Sequence, residues 1–105
     1  PSASYAYCSD TVYSPQLAEV VRGVDLLYHE ATYADDSAHK ARARFHSTAS
    51  EAARIARDAG VGALVLGHFS NAYNSEARHL EEARAIFPDT IAAREGLVIE
   101  VRSKK

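Results

Sequence analysis

Residues 61–69, VGALVLGHF, read as a β-strand that is apolar on both faces. That reading decides the fold, because a strand without a polar face belongs in the middle of a sheet covered by helices. The run is far too short to span a bilayer. Just before it, residues 46–60, HSTASEAARIARDAG, form the clearest helix in the chain. Ser47 or Thr48 can cap it, and Glu51, three residues after Thr48, completes a capping box. Ala49, Ala52, Ala56 and Ala59 with Ile55 make a small-residue face for close packing on a sheet. Gly60 stops the helix. After the strand, residues 75–87, SEARHLEEARAIF, predict a second helix that ends at Pro88 and carries an Arg78–Glu82 pair one turn apart.

Upstream, residues 4–8 (SYAYC) alternate as a short strand. Residues 14–24 (SPQLAEVVRGV) predict a short helix with Pro15 in its first turn. The apolar front half of residues 25–33 (DLLYHEATY) predicts a strand, and residues 35–45 (DDSAHKARARF) a solvated helix. Residues 90–101 (TIAAREGLVIEV) predict strand, glycine turn and strand, followed by a lysine-rich tail. Strands alternating with helices define an α/β layer with helices on at least one side of a sheet.

The 105 residues fit at most one domain, with 47% hydrophobic and 25% charged residues and a net charge of −2. This balance offers no bulk attraction for nucleic acid, so a polyanion would need a local site or a partner segment. A single cysteine, Cys8, excludes an intrachain disulfide and points to reducing, cytoplasmic surroundings. No basic-then-apolar leader is visible, and no membrane association is expected. The chain opens at Pro1 and contains no Met, which suggests processing or fragmentation. It has no GxGxxG or GKS phosphate loop, no Cys-x-x-Cys pair, and no GxSxG elbow of a serine hydrolase.

The chemistry-bearing residues stand at the ends of these elements. Asp10, after the first strand, is a turn residue or a carboxylate free to meet a metal. His68 ends the most buried strand, as a hydrogen-bonded core group or a ligand; imidazole suits zinc, but two ligands do not make a stable zinc site. His46 precedes the capped helix, whose dipole disfavours its protonation. It is a solvent-facing loop residue or a proton donor held charged by a carboxylate, for which Glu30 is the best candidate. His29, on the alternate face to Glu30, reads as structural. His39 and His79 read as surface groups, and Cys8 as a small buried hydrophobe.

Taken in order, SDT, LLYHEATY, HSTASEAARIARDAG, LVLGHFSNAY and EARAIFP resemble the C-terminal half of ribonuclease Z, the tRNA 3′-processing endonuclease family of the metallo-β-lactamase superfamily. The resemblance covers most of the chain. It implies that residues 1–105 are the C-terminal half of an αββα sandwich. Asp10 would bridge two zinc ions, with Mn²⁺ also possible, and His68 would be a terminal ligand. His46 would protonate the leaving group, oriented by Glu30. Ser70, Asn71 and Tyr73 in the HFSNAY segment would face substrate. The implied substrate is precursor tRNA, and the complete protein would be a homodimer. The family's HxHxDH ligands and its tRNA-gripping arm belong to an N-terminal half that this sequence lacks, so another chain or segment is expected to supply them.

Three departures from the family pattern stand out. SDT replaces the usual GDT, Ala72 replaces an arginine expected to touch phosphate, and AREG stands where an Asp-Gly pair is common. Two other readings therefore stay open. One is a metal-dependent phosphodiesterase of the same fold acting on another phosphodiester, a cyclic nucleotide or a small ester. The other is a non-catalytic half-domain that supports assembly.

Overall fold

The computed structural model describes residues 4–8, 13–70, 72–73 and 75–93. Four strands, β1 (Tyr5–Cys8), β2 (Leu26–Glu30), β3 (Ala63–Gly67) and β4 (Thr90–Ala92), form one parallel sheet in the order β1-β2-β3-β4. The helices are α1 (Leu17–Val20), α2 (Ala38–Ala43), α3 (Ala49–Ala59) and α4 (Ala77–Arg84), with a 3₁₀ turn at Asp35–Ser37 leading into α2. The second strand expected within residues 90–101 lies outside the described residues, as does Asp10.

Strand order follows chain order, so each crossover steps the same way. Right-handed crossovers that all step one way put every connecting helix on the same face. α3 lies on β2 and β3 and is flanked by α1 and α4. Its small-residue face is buried as the sequence predicts, against Leu27, Leu64 and Leu66. The opposite face carries Tyr5, Tyr7, Tyr28, Val65 and Ile91, and no described helix packs on it. The other apolar face of β3, at Val65, shares its side of the sheet with Tyr28, which stacks on Tyr7 at 4.5 Å, in keeping with helices expected on at least one side. The described residues are thus one helix layer on one sheet layer, half of an αββα sandwich.

The capping box on α3 is present as read. Thr48 Oγ1 accepts from the Glu51 N–H at 3.1 Å, and a Glu51 carboxylate oxygen accepts from the Thr48 N–H at 2.9 Å. Gly60 closes the helix in the left-handed region at φ 66°. Two residues on, Gly62 lets the backbones of adjacent segments meet: a Cβ there would lie 2.5 Å from the Asp25 carbonyl oxygen.

Two histidines sit in the core. His29 points into the helix-covered side and donates from Nδ1 to the Glu30 carbonyl at 2.8 Å, which agrees with its structural reading. His79 was expected at the surface and is instead fully buried between the rings of Phe69 and Tyr73. The signal was available: His79 falls one turn before Ala83, on the stripe α4 turns inward. His39 is exposed, and Cys8 is half-buried against the core.

Burial pushes the pKa of both His29 and His79 down, outweighing the weaker opposing pull of nearby backbone carbonyls and carboxylates. The unfolded chain takes up these protons near pH 6.5 (about the free imidazole value), the folded chain only lower. Their contribution is therefore complete above about pH 6.5 and is lost as pH falls below it. The melting temperature is expected to drop between pH 7.5 and pH 5, and His79→Leu should flatten part of that drop; a pH-independent melting temperature over that range would contradict the assignment. Gly62→Ala is expected to cost about 1–3 kcal/mol in urea unfolding, because the clash is with backbone rather than with a side chain that can move aside.

Candidate active site

Glu30 closes β2 with its side chain fully buried. Its Oε1 accepts from the Ser47 N–H at 2.8 Å and from His46 Nδ1 at 3.2 Å. Its Oε2 accepts from the Thr32 N–H at 3.1 Å and from Thr32 Oγ1 at 2.7 Å. A carboxylate has about four lone-pair positions, and among the described residues these four donors reach this one. Such saturation is what makes a carboxylate tolerable away from water.

His46 and Ser47 reach Glu30 because two helix-end motifs meet around them. At the end of α2, the His46 N–H bonds the Ala41 carbonyl at 2.7 Å and the Phe45 N–H bonds the Arg42 carbonyl at 3.4 Å. This is the Schellman pair, with Phe45 in the left-handed position at φ 58°, where glycine is usual. Thr48 then opens α3. Only His46 and Ser47 lie between the two motifs, and both donate to Glu30. The Tyr33 backbone joins this turn, its carbonyl accepting the Ala49 N–H at 3.0 Å.

His68 follows Gly67 at the end of β3. It also sits in the left-handed region at φ 59°, and its side chain is exposed. Its Nδ1 lies 3.0 Å from Thr32 Oγ1, and its ring stacks on that of His46 with centroids 5.4 Å apart. Strained backbone of this kind concentrates at functional sites. One ligand atom each from Glu30, His46 and His68 fall within 4.8 Å of one another. Proximity alone would make Glu30 a metal ligand, but its lone pairs are engaged by protein donors. The two imidazoles are the better nitrogen donors for a zinc- or manganese-type ion, and they are too few by themselves to complete its coordination.

The structure thus brings Glu30, His46 and His68 together. Asp10 and Asn71 lie outside the described residues. Ser70 donates its N–H to the Thr32 carbonyl at 2.9 Å, fastening the loop after β3 to the loop after β2. The Tyr73 hydroxyl accepts from the Ala34 N–H at 3.0 Å and donates to Asp36 at 2.7 Å. Arg78 reaches the same Asp36 carboxylate at 3.3 Å, so loop and α4 are pinned to the 3₁₀ turn. The Tyr73 hydroxyl, followed by Arg78, holds the Asp36 carboxyl below its ordinary pKa. Sequence reasoning missed Thr32 in this network and saw Ser47 only as a possible cap; neither stands in a pattern that announces the role.

A parallel sheet with one layer of helices, and a histidine pair assembled at the carboxyl ends of its strands, agree with a metallo-β-lactamase-type fold. The chain belongs to the beta-lactamase superfamily: the family profile described as "Beta-lactamase superfamily domain" matches residues 1–69. Within that superfamily it is a homologue of ribonuclease Z. It is 52% identical to the Ribonuclease Z of Bacteroides fragilis over 101 residues, which cover 96% of this chain and 33% of that protein. Among solved structures, the metallo-beta-lactamase fold protein YhfI from Bacillus subtilis superposes with a TM-score of 0.84 at 27% identity, over 91% of this chain and 39% of that one. Human tRNase Z, short form, superposes with a TM-score of 0.63 at 30% identity, over 81% of this chain and 27% of that one. The chain therefore spans about a third of the length of the ribonuclease Z relative it matches. Among the described residues no helix is long and apolar enough to cross a membrane.

Phe45→Gly is expected to leave stability unchanged or raise it by up to about 1 kcal/mol, since the left-handed position costs an L side chain roughly 1–2 kcal/mol and glycine's greater unfolded-state freedom offsets part of the relief. Chemical denaturation tests this, and a loss above about 1 kcal/mol would show that the Phe45 side chain is itself a packing element.

Proposed function

We propose that this chain is the C-terminal half of a metal-dependent endoribonuclease that removes 3′ trailers from precursor tRNA, completed by an N-terminal half on another chain or segment. The observation that carries this reading is the buried Glu30 carboxylate holding His46 by Nδ1 beside the exposed His68. Similarity to ribonuclease Z over nearly the whole chain supports it.

His68 and Asp10 would be this half's ligands to two zinc or manganese ions, the remaining ligands coming from the other half. Such ions supply a water of lowered pKa and neutralise charge on the phosphate. Glu30 orients His46 by accepting from its Nδ1. As water adds to phosphorus and the P–O3′ bond breaks, His46 delivers a proton to the oxygen leaving on the tRNA body. The tRNA keeps a 3′-hydroxyl and the trailer keeps the phosphate. Ser70 and Asn71 are proposed to meet the RNA backbone, while Tyr73 shapes the loop that carries them. The working enzyme is proposed to be a cytoplasmic homodimer of the complete protein.

A second reading keeps the chemistry and changes the substrate to a small phosphodiester. Ala72, standing where the family's phosphate-contacting arginine is expected, favours it. In the complete assembly, His46→Ala is expected to lower kcat for a 3′-extended tRNA by about 10²–10⁴-fold with bound metal unchanged, whereas His68→Ala should lower metal content itself. Unchanged cleavage and metal content in His68→Ala would overturn the metal assignment. Faster turnover of small phosphodiesters than of precursor tRNA on one preparation would favour the second reading, and absence of stoichiometric metal would leave a non-catalytic half-domain.

A further inference from the structure

Thr32 is buried between the two loops that carry Glu30 and His68. Its Oγ1 is 2.7 Å from Glu30 Oε2 and 3.0 Å from His68 Nδ1. A hydroxyl has one proton to give, and an ionised carboxylate can only accept, so that proton goes to Glu30. The Thr32 oxygen must then accept from His68, which places a proton on His68 Nδ1 and the ring's lone pair on Nε2. The backbone enforces the contact from both sides. The Thr32 N–H bonds Glu30 Oε2 at 3.1 Å, and the Thr32 carbonyl accepts the Ser70 N–H at 2.9 Å, two residues past His68.

We propose that Thr32 is the positioning residue of the centre: its hydroxyl fixes the Nδ1–H tautomer of His68, presents Nε2 to the metal, and links that ligand to the carboxylate that holds His46. The proposal rests on the reading of His68 as a metal ligand. The group that orients a ligating imidazole sets its tautomer and raises its basicity, and losing it costs typically 10–100-fold in metal affinity. Glu30 then serves both histidines, His46 directly and His68 through one hydroxyl, so the proton donor and the metal ligand share a single buried anion.

The test uses the complete assembly, histidine-labelled with ¹⁵N, and zinc competition against a chelator. In the metal-free wild type, His68 is expected to show the Nδ1–H signature. Thr32→Val keeps the shape of the side chain and removes the hydroxyl; it should abolish that signature and weaken zinc binding about 10–100-fold. Thr32→Ser should restore both, which a purely structural role for the residue would not require. An Nε2–H tautomer in the wild type overturns the proposal without any variant, as does a Thr32→Val protein that keeps the Nδ1–H form or the wild-type zinc affinity. If instead His68→Ala leaves zinc binding intact, it is the ligand reading that fails, and the ring tautomer still decides what Thr32 does. Should Thr32→Val not fold, Thr32→Ala and Thr32→Ser carry the same comparison.

Discussion

Everything around the site is arranged to satisfy one buried carboxylate. Glu30 is removed from water, and a charge-bearing group so placed is stable only with a full complement of donors. Its own loop provides two through Thr32, and the turn between α2 and α3 provides two through His46 and Ser47. The second pair has to arrive across the end of β2. That requirement explains a compact local design in which a Schellman ending and a capping box lie back to back, with just two residues between them. It also explains why a phenylalanine is held at a left-handed φ: the turn must be that tight for His46 to face Glu30.

The sheet decides where this carboxylate stands. Because all four strands are parallel and in chain order, their carboxyl ends share one edge, and loops from different strands converge there. Glu30 ends β2 and His68 follows β3, adjacent strands whose register pairs Glu30 with Gly67. In open parallel sheets this edge is the usual place for ligands and chemistry. The same topology puts the helices on one face and leaves the face carrying Tyr5, Tyr7 and Tyr28 without a helix among the described residues. An apolar sheet face of that kind needs a covering layer, which agrees with a chain that spans about a third of its ribonuclease Z relative.

Much of this was legible locally. The apolar run of β3, the capping box of α3, its alanine face and its glycine stop are short-range patterns, each governed by backbone hydrogen bonding or side-chain periodicity within a few residues. The motif segments also named Glu30, His46 and His68, three side chains that the fold brings together. His79 was misplaced because a polar helix was read by composition, while burial followed the position of one residue on the inward stripe. The polar run before it in the chain, residues 35–45, divides into a 3₁₀ turn and a six-residue helix whose Ala41 is buried, again because tertiary packing selected one face.

The sequence by itself determined most of the elements, their order and the candidate residues at the strand ends, because caps, periodicity and strand ends are encoded within one or two turns of chain. The tertiary structure alone decided the partners. It set Thr32 between Glu30 and His68, bent Phe45 into a position made for glycine, and joined the Tyr73 hydroxyl to Ala34 and Asp36. These contacts join residues as much as 39 positions apart. They depend on the donor requirement of a buried carboxylate and on the convergence of parallel strand ends, neither of which a local pattern can express.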